Sequence, residues 1–349
     1  MIAKRKEEHV RICLKEEVRS KINYLDFVSL VHCSLPEINK SEINCSSKIF
    51  NCKLNAPIIV TAITGGYPQA EKINNNLAQA CEKLGIGFGV GSERIALEQK
   101  LARKSFELVK NYNIPFVIAN IGAPQLIDQK KSKALSFGEV QKIVELVDAN
   151  CLAIHLNFLQ EVVQNADTNS KNCLKAIERI VNELRLPVIL KETGAGISYE
   201  LAKELKKLNV GVDVAGLGGT SFAAVEYYRA KTKIQKRLGK TFWNWGVPTP
   251  VAILNCKRAG IKPIVGSGGI RNGLDGAKAL ALGSDAFGLA LPLLRCAAKS
   301  ARSVVEELNI IIEELKATMF LVGAENIKEL KGKKVILEHP VRDYLWEND

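Results

Sequence analysis

Residues 263–294 restrict the fold of this chain more than any other part of the sequence. A short apolar run with β-type residues is followed by a glycine-rich turn at 266–271, apolar residues at helical spacing, and a second β-type run at 286–290. A strand, a turn, a helix and a strand in this order form a βαβ unit with parallel strands. The glycines allow positive φ and leave backbone N–H groups uncovered, and Arg271 adds a positive charge. The turn is interpreted either as a phosphate-binding loop or as a tight turn without a ligand.

Similar strand-then-helix patterns precede this unit and together give eight β-then-α units. The strands are predicted at residues 57–63, 86–91, 115–119, 151–155, 187–190, 212–215, 263–265 and 286–290. In a (β/α)8 barrel the phosphate site usually follows strands 7 and 8, which is where residues 266–271 fall. The sequence therefore predicts an α/β protein with a (β/α)8 TIM barrel.

The chain has 349 residues, more than the ~250 of a typical barrel, so we expect additions to one barrel domain spanning 1–349. They are an N-terminal extension at 1–50, a long loop over the barrel mouth at 222–250, and terminal helices with a tail at 298–349. A loop of that length is often a functional lid. The extension is either a solvated charged tail or an arm over the mouth, with Arg5, Lys6 and His9 facing an anion.

Charge and composition narrow the class of protein. The net charge is +12, but the basic residues are dispersed and aromatics make up only 6%, which argues against a nucleic-acid interface and favours an anionic small substrate. No apolar run reaches the ~18 residues of a membrane span, and the N-terminus has no apolar core of a secretory signal. The nine cysteines are scattered without a Cys-x-x-Cys pair, which indicates neither a zinc site nor a dithiol centre and favours a reducing, cytoplasmic setting.

Polar residues gather at the C-terminal ends of the predicted strands, the face on which barrel enzymes build their active sites. They are Thr64, Ser92, Arg94, Asn120, His155, Asn157, Gln160, Glu161, Lys191, Thr220 and Arg271. Lys191 is typical of a Schiff-base lysine, or of a cation beside a bound anion or an electron-rich cofactor ring. Short hydrogen-bonding residues around it, together with a phosphate loop, suit a phosphorylated planar cofactor such as FMN.

The segment after the fourth predicted strand suits a diphosphate. Mg²⁺ is usually held by one or two carboxylates plus phosphate oxygens, and Glu161 is the candidate carboxylate. A neutral His155 and Arg94 are expected to donate hydrogen bonds to diphosphate oxygens. The alternative for His155 is an ordinary buried histidine with structural hydrogen bonds.

Two motifs carry a specific family resemblance. They are Arg-Lys-x-x-His at Arg5, Lys6 and His9, and His-x-Asn-x-x-Gln-Glu from His155 to Glu161. Further matching segments lie at residues 63–66, 89–94, 119–123, 191–194, 218–221, 245–249 and 267–271. On these residues the chain resembles type 2, FMN-dependent isopentenyl diphosphate isomerase over nearly its full length.

The resemblance implies interconversion of isopentenyl and dimethylallyl diphosphate with reduced FMN, Mg²⁺, NADPH as flavin reductant, and a homo-oligomer (tetramer or octamer). It assigns the substrate to Arg5, Lys6, Ser92, Arg94, His155, Asn157 and Gln160, and the metal to Glu161. It assigns the flavin to Ala62, Ile63, Thr64, Ser92, Asn120, Lys191, Thr220, Gly268, Gly269, Arg271, Ala290 and Leu291. Gln160, Lys191 and His155 are the implied catalytic residues.

Two positions depart from the family pattern: Glu93 stands where Gln is frequent, and Ile63 where Met is frequent. Glu93 would place a negative charge near a diphosphate unless it points away. Two other functions remain open on the residues: a different FMN barrel enzyme, an oxidase or dehydrogenase, and a non-catalytic flavin or nucleic-acid binder suggested by the charge of +12.

Overall fold

A closed barrel of eight parallel strands forms the centre of the computed structural model, which describes residues 2–130, 132–164 and 168–346. In chain order the strands are β1 Val28–Leu30, β2 Ser47–Ile49, β3 Cys52–Leu54, β4 Ile58–Val60, β5 Gly87–Gly89, β6 Val117–Gly122, β7 Cys151–Leu156, β8 Val188–Glu192, β9 Gly211–Asp213, β10 Ile264–Ser267, β11 Ala286–Leu289 and β12 Val335–Leu337. The barrel order is β10-β11-β4-β5-β6-β7-β8-β9. This confirms the (β/α)8 prediction.

Helices surround the barrel, so strands such as β4 and β11 are buried on both faces and apolar throughout. The helices are α1 Ile2–Lys15, α2 Pro68–Leu84, α3 Arg94–Glu98, α4 Lys100–Glu107, α5 Phe137–Leu146, α6 Phe158–Val163, α7 Cys173–Glu183, α8 Tyr199–Lys207, α9 Phe222–Arg229, α10 Lys233–Thr241, α11 Thr249–Arg258, α12 Gly273–Leu282, α13 Leu291–Lys299, α14 Ala301–Leu321, α15 Ile327–Lys331 and α16 Asp343–Trp346. None of the described helices has the length and apolar character that a membrane crossing requires.

Two central strands run further than the sequence predicts. β6 continues to Gly122 and β8 to Glu192, so Asn120 and Lys191 lie inside strands rather than after them. The ladder extends because Lys191 pairs in register with His155 on one side and Asp213 on the other. These polar side chains are therefore positioned by rigid sheet rather than by loops.

The hairpin of β2 and β3 closes the barrel at the end opposite the polar rim. Ile49 and Leu54 of the hairpin pack on Ile59 and Phe116, and all four are almost completely buried. The bottom of the barrel is therefore dry, and a ligand reaches the interior from the other end.

The N-terminal extension is an arm, and the interpretation as a solvated tail is wrong. Ile12 and Val18 are buried against Ala224 and Val225 of α9. Burying a side chain of this size contributes about 1.5–3 kcal/mol, which fixes α1 on the barrel. The extension also pairs with the C-terminal segment, because β1 and β12 form an antiparallel sheet.

Residues 222–250 are not a long loop, because α9 and α10 occupy most of the segment. The side chain of Ser221 accepts a hydrogen bond from the Ala224 N–H, and Thr232 forms a capping box with Gln235. Tyr227 and Trp243 then pack their rings 5.6 Å apart. The segment lines the barrel mouth as two capped helices.

Candidate active site

One continuous cavity of about 2170 Å³ opens at the C-terminal ends of the barrel strands. It is larger than the ~300–1,000 Å³ of a usual small-ligand site, so it has room for a cofactor and a substrate together. Every site residue named from the sequence, from Arg5 on α1 to Leu291 on α13, lines this cavity. The substrate and metal candidates His155, Gln160 and Glu161 thus share one cavity with Lys191 and Arg271.

A chain of hydrogen bonds fixes the orientation of His155. Its Nδ1 lies 2.7 Å from Oδ1 of Asn120, and Nδ2 of Asn120 donates to the Val90 carbonyl at 3.1 Å. Because the Asn120 amide nitrogen is committed as a donor, its oxygen accepts, and the proton of a neutral His155 sits on Nδ1. Nε2 of the ring is left as an acceptor.

The electrostatics of the cavity keep His155 neutral. Burial, with Lys191, Lys6 and Arg5 nearby, lowers the pKa of His155 to about 3. That His155 donates to a diphosphate stays a prediction. A neutral ring with its proton on Nδ1 has none on Nε2, so it accepts at Nε2. It can donate there only after a bound anion has raised its pKa enough for the ring to take up a second proton.

Glu93, the departure noted in the sequence, points away from the cavity rim. Its carboxylate accepts the Asn120 backbone N–H at 2.7 Å, and Oε1 is buried without a hydrogen-bond partner. Burial raises the pKa of Glu93 well above its usual value, despite the hydrogen bond from Asn120 and the charge of Lys6. Burial thus shifts Glu93 toward its protonated form, and its carboxyl group braces the Asn120 backbone.

Lys6 and Arg5 extend from α1 into the cavity. The Lys6 ammonium donates to the Ser92 carbonyl, and Nη1 of Arg5 donates to Oε1 of Gln164 at 3.2 Å. Burial and the charge of Arg5 lower the pKa of Lys6 to about 7, with Glu93 acting in the opposite direction. The arm therefore presents a permanent charge and a titratable one to an anion.

Glu226 of α9 is a central residue that the sequence analysis missed. Its side chain is 2% exposed, and Oε1 accepts from Nε2 of Gln160 at 2.9 Å and Nε2 of Gln164 at 3.0 Å, and lies 2.8 Å from Nε2 of His9. Arg229 approaches Oε2 at 3.2 Å. One carboxylate thus connects the arm, α6 and α9 and sets the direction of the Gln160 amide. The sequence signal is a single acidic residue in α9, whose other residues before Arg229 are apolar or aromatic.

Glu161 has the surroundings of a Mg²⁺ ligand. Oε1 of Glu161 accepts from Nδ2 of Asn157 at 3.0 Å, while Oδ1 of Asn157 is buried without a hydrogen-bond partner. A carboxylate beside an unpaired amide oxygen is an oxygen donor set that suits a hydrated Mg²⁺ whose other ligands come from phosphate. The described residues contain no cluster of three or more acidic, His or Cys side chains that could hold a metal alone.

Lys191 forms a buried ion pair, which argues against a Schiff base. Nζ lies 2.7 Å from Oδ2 of Asp213, with side-chain exposures of 12% and 6%, and Ser267 Oγ donates to the other carboxylate oxygen. An ammonium paired in this way is a poor nucleophile, so Lys191 is better suited to act as a charge. Asp213 is a second site residue that the sequence does not single out, because it falls within the predicted strand 212–215.

Two glycine loops meet beside Arg271. A Cβ on Gly219 would lie 2.4 Å from the Gly269 amide nitrogen, and Gly269 has φ +79°, so glycine at both positions keeps that N–H uncovered as a phosphate cradle requires. Nε of Arg271 contacts Asp275 at 2.8 Å, and its Nη2 also contacts Asp26. These contacts raise the pKa of Arg271. A phosphate bound here would share Arg271 with the exposed Asp26.

Comparison with known proteins gives full-length relatives. The family model "FMN-dependent dehydrogenase" matches residues 140–337. An isopentenyl-diphosphate delta-isomerase of Archaeoglobus fulgidus is 42% identical over 347 residues, covering 98% of both chains. The enzyme of the same name from Thermoplasma acidophilum is 43% identical and covers 99% of both chains.

Solved structures show the same fold at low identity. A mandelate oxidase with benzoyl-formic acid superposes with a TM-score of 0.63 at 17% identity, covering 95% of this chain and 97% of that one. A lactate oxidase of Pediococcus acidilactici superposes with a TM-score of 0.64 at 16% identity, covering 90% of this chain and 84% of that one. At this identity the likeness concerns the barrel alone. The full-length relatives decide the family: the chain belongs to the type 2, FMN-dependent isopentenyl-diphosphate delta-isomerase family.

Proposed function

We propose that this isomerase interconverts isopentenyl and dimethylallyl diphosphate with reduced FMN and a Mg²⁺ ion on the diphosphate. The observation that carries the proposal is the single cavity, which is lined by the glycine loops, Lys191 and Asn120 together with Arg5, Lys6 and Glu161. A planar cofactor and a prenyl diphosphate can therefore lie against each other.

The flavin would be held by the loops at the ends of the strands. Thr64 and Asn120 would offer hydrogen bonds, Lys191 a positive charge, and the loops at Gly219 and Gly269 backbone N–H groups. Ordinary side-chain acids protonate an unactivated alkene poorly. Bound reduced FMN would supply a group that can give a proton to the substrate and take one back.

The diphosphate would lie between the arm and α6. Arg5, Lys6 and Arg94 would supply positive charge, and Glu161 with the unpaired oxygen of Asn157 would hold the metal. A Mg²⁺ held there would neutralise part of the diphosphate charge. Binding of this anion would also favour the charged forms of Lys6 and His155.

Gln160 would lie beside the alkene. Its amide nitrogen donates to Glu226, which leaves its carbonyl oxygen as an acceptor directed by a buried carboxylate. The helices α1, α9 and α10 line the same cavity mouth and would exclude water from a cation-like reacting centre.

The test is isomerisation without net redox change. The purified protein is loaded with FMN, reduced under anaerobic conditions, and given Mg²⁺ and isopentenyl diphosphate. The proposal expects dimethylallyl diphosphate with no net loss of reduced flavin. Absence of that product would contradict it, and substrate-dependent flavin bleaching with consumption of an electron acceptor would instead support an FMN oxidase or dehydrogenase.

Three further properties are proposed with the function: NADPH as the reductant of the flavin, a homo-oligomer of four or eight copies, and a cytoplasmic location. The family resemblance supports them. Anaerobic bleaching of bound FMN by NADPH tests the first and sedimentation velocity the second. Cell fractionation tests the third.

A further inference from the structure

The buried ion pair between Lys191 and Asp213 has a role that the isomerase function does not yet assign. The inference rests on the proposed function only in taking FMN as the cofactor. Lys191 lines the main cavity. Asp213 lines a small void inside the barrel, together with Ile59, Ile118 and Val265, and Lys191 borders that void as well. Asp213 does not border the main cavity and contacts two residues that do, Lys191 and Ser267.

The register of the sheet explains how the pair is formed. On adjacent strands β7, β8 and β9, His155, Lys191 and Asp213 stand opposite one another as paired residues. The Lys191 ammonium lies 2.7 Å from the Asp213 carboxylate rather than free in the cavity. A long lysine side chain would otherwise extend toward water.

Ser267 completes the arrangement. Ser267 is 3% exposed, and its hydroxyl donates to Oδ1 of Asp213, the oxygen that Lys191 does not contact. The hydroxyl thereby disperses part of the carboxylate charge and leaves more of the Lys191 charge uncompensated.

We propose that Asp213 is a positioning residue that holds the Lys191 ammonium at the inner wall of the main cavity and limits the positive charge presented to the flavin ring. A positive charge beside the ring stabilises the electron-rich reduced flavin more than the oxidised one. The negative charge of Asp213 partly cancels the stabilisation of the reduced flavin by Lys191. The Ser267 hydroxyl weakens this cancellation.

The experiment measures the midpoint potential of FMN bound to the purified holoenzyme, wild type against Asp213→Asn, with no isomerase substrate present. Asparagine keeps the volume and an acceptor oxygen but removes the charge. The ratio of affinities for reduced over oxidised FMN is expected to rise about tenfold, which corresponds to a potential higher by about 30 mV for a two-electron couple. An unchanged or lower potential overturns the proposal.

Asp285→Asn is the matched control. Asp285 pairs with Lys331 at 2.6 Å and accepts the Ile264 N–H at 2.8 Å, at the N-terminal end of β10 and away from the cavity. The Asp285→Asn variant also loses a partly buried carboxylate, so the midpoint potential of its bound FMN is expected to equal that of the wild-type protein. A shift equal to that of Asp213→Asn would attribute the effect to general charge loss and overturn the proposal.

Ser267→Ala keeps the proposal testable if Asp213→Asn does not fold or bind FMN. Removing the hydroxyl concentrates charge on Asp213, so the potential is expected to fall below the wild type, opposite to the asparagine variant. An unchanged or higher potential in Ser267→Ala contradicts the inference alone. Failure of the wild-type protein to bind FMN would overturn the proposed function, and the inference with it.

Discussion

Replacing Glu226 with Gln tests whether this carboxylate directs Gln160. The amide has nearly the same volume, but one oxygen becomes an NH₂ group. If the remaining oxygen of the new amide faces Gln160 and Gln164, its NH₂ group faces Arg229. Two hydrogen-bond donors then oppose each other. If the amide is reversed, Gln160 loses its acceptor.

The magnitude follows from the lost contact. A hydrogen bond to a charged group contributes about 1.5–3 kcal/mol, and each 1.36 kcal/mol is a factor of about ten in rate. We expect kcat to fall about ten- to hundred-fold with KM changed less than about threefold, because the Gln160 amide loses its fixed direction while Arg5 and Lys6 remain. Unfolding is also expected at a lower temperature, since the Glu226 side chain is 2% exposed.

The pH dependence of stability gives a second measurement. Burial tends to raise the pKa of Glu226, but the hydrogen bond and charge of His9, with Gln160 and Arg229, lower it overall. A lowered pKa means stabilisation that is present above the ordinary carboxyl pKa and lost as the pH falls through the native value. Glu226→Gln should lose that acid-dependent part of the free energy of unfolding.

The assay compares steady-state kinetics of the FMN- and Mg²⁺-loaded enzyme with Glu306→Gln as control. Glu306 forms an exposed pair with Arg302 at 2.8 Å, and such pairs contribute little. Unchanged kcat in Glu226→Gln, with FMN bound, would refute the reasoning. A raised KM at constant kcat would show that Glu226 acts on diphosphate binding instead.

Three other outcomes are expected. Because the pKa of Lys6 is about 7, KM should rise about tenfold between about pH 6 and pH 9 as one charged hydrogen bond is lost, and Lys6→Arg should flatten that rise. Over the same range the contribution of Lys6 to the free energy of unfolding should increase with pH, since the unfolded chain holds the Lys6 proton up to a higher pH than the folded chain. A fall in that contribution as the pH rises would contradict the assignment. Gly122→Ala should raise KM, because the new Cβ would lie 2.9 Å from Nε2 of His155, whereas Gly138→Ala, with nothing within 4 Å, should match wild type in kinetics. Glu161→Gln should abolish Mg²⁺-dependent turnover while the visible spectrum still shows bound flavin, and loss of the flavin would show that Glu161 is misplaced.

Several features could be read from local sequence because they depend on local forces. The capping box at Ser136 and Glu139 is one of them, since its two hydrogen bonds join residues three apart. The strand ends were less accurate: Lys191 belongs to β8 because its neighbours Asp213 and His155 supply ladder partners. The sequence predicts a loop at 222–250 where the structure has α9 and α10, since the helix signals there are short and interrupted.

The sequence by itself determined the barrel and the face on which the site lies. Apolar runs with helices between them can be buried only as parallel strands, and the polar residues that follow such strands must meet at one rim. The tertiary structure alone decided which polar groups touch. Glu226 meets Gln160 across 66 residues and His9 across 217. Hydrogen bonds and ion pairs act over a few ångströms in space, so no local pattern records a partner so distant in the chain.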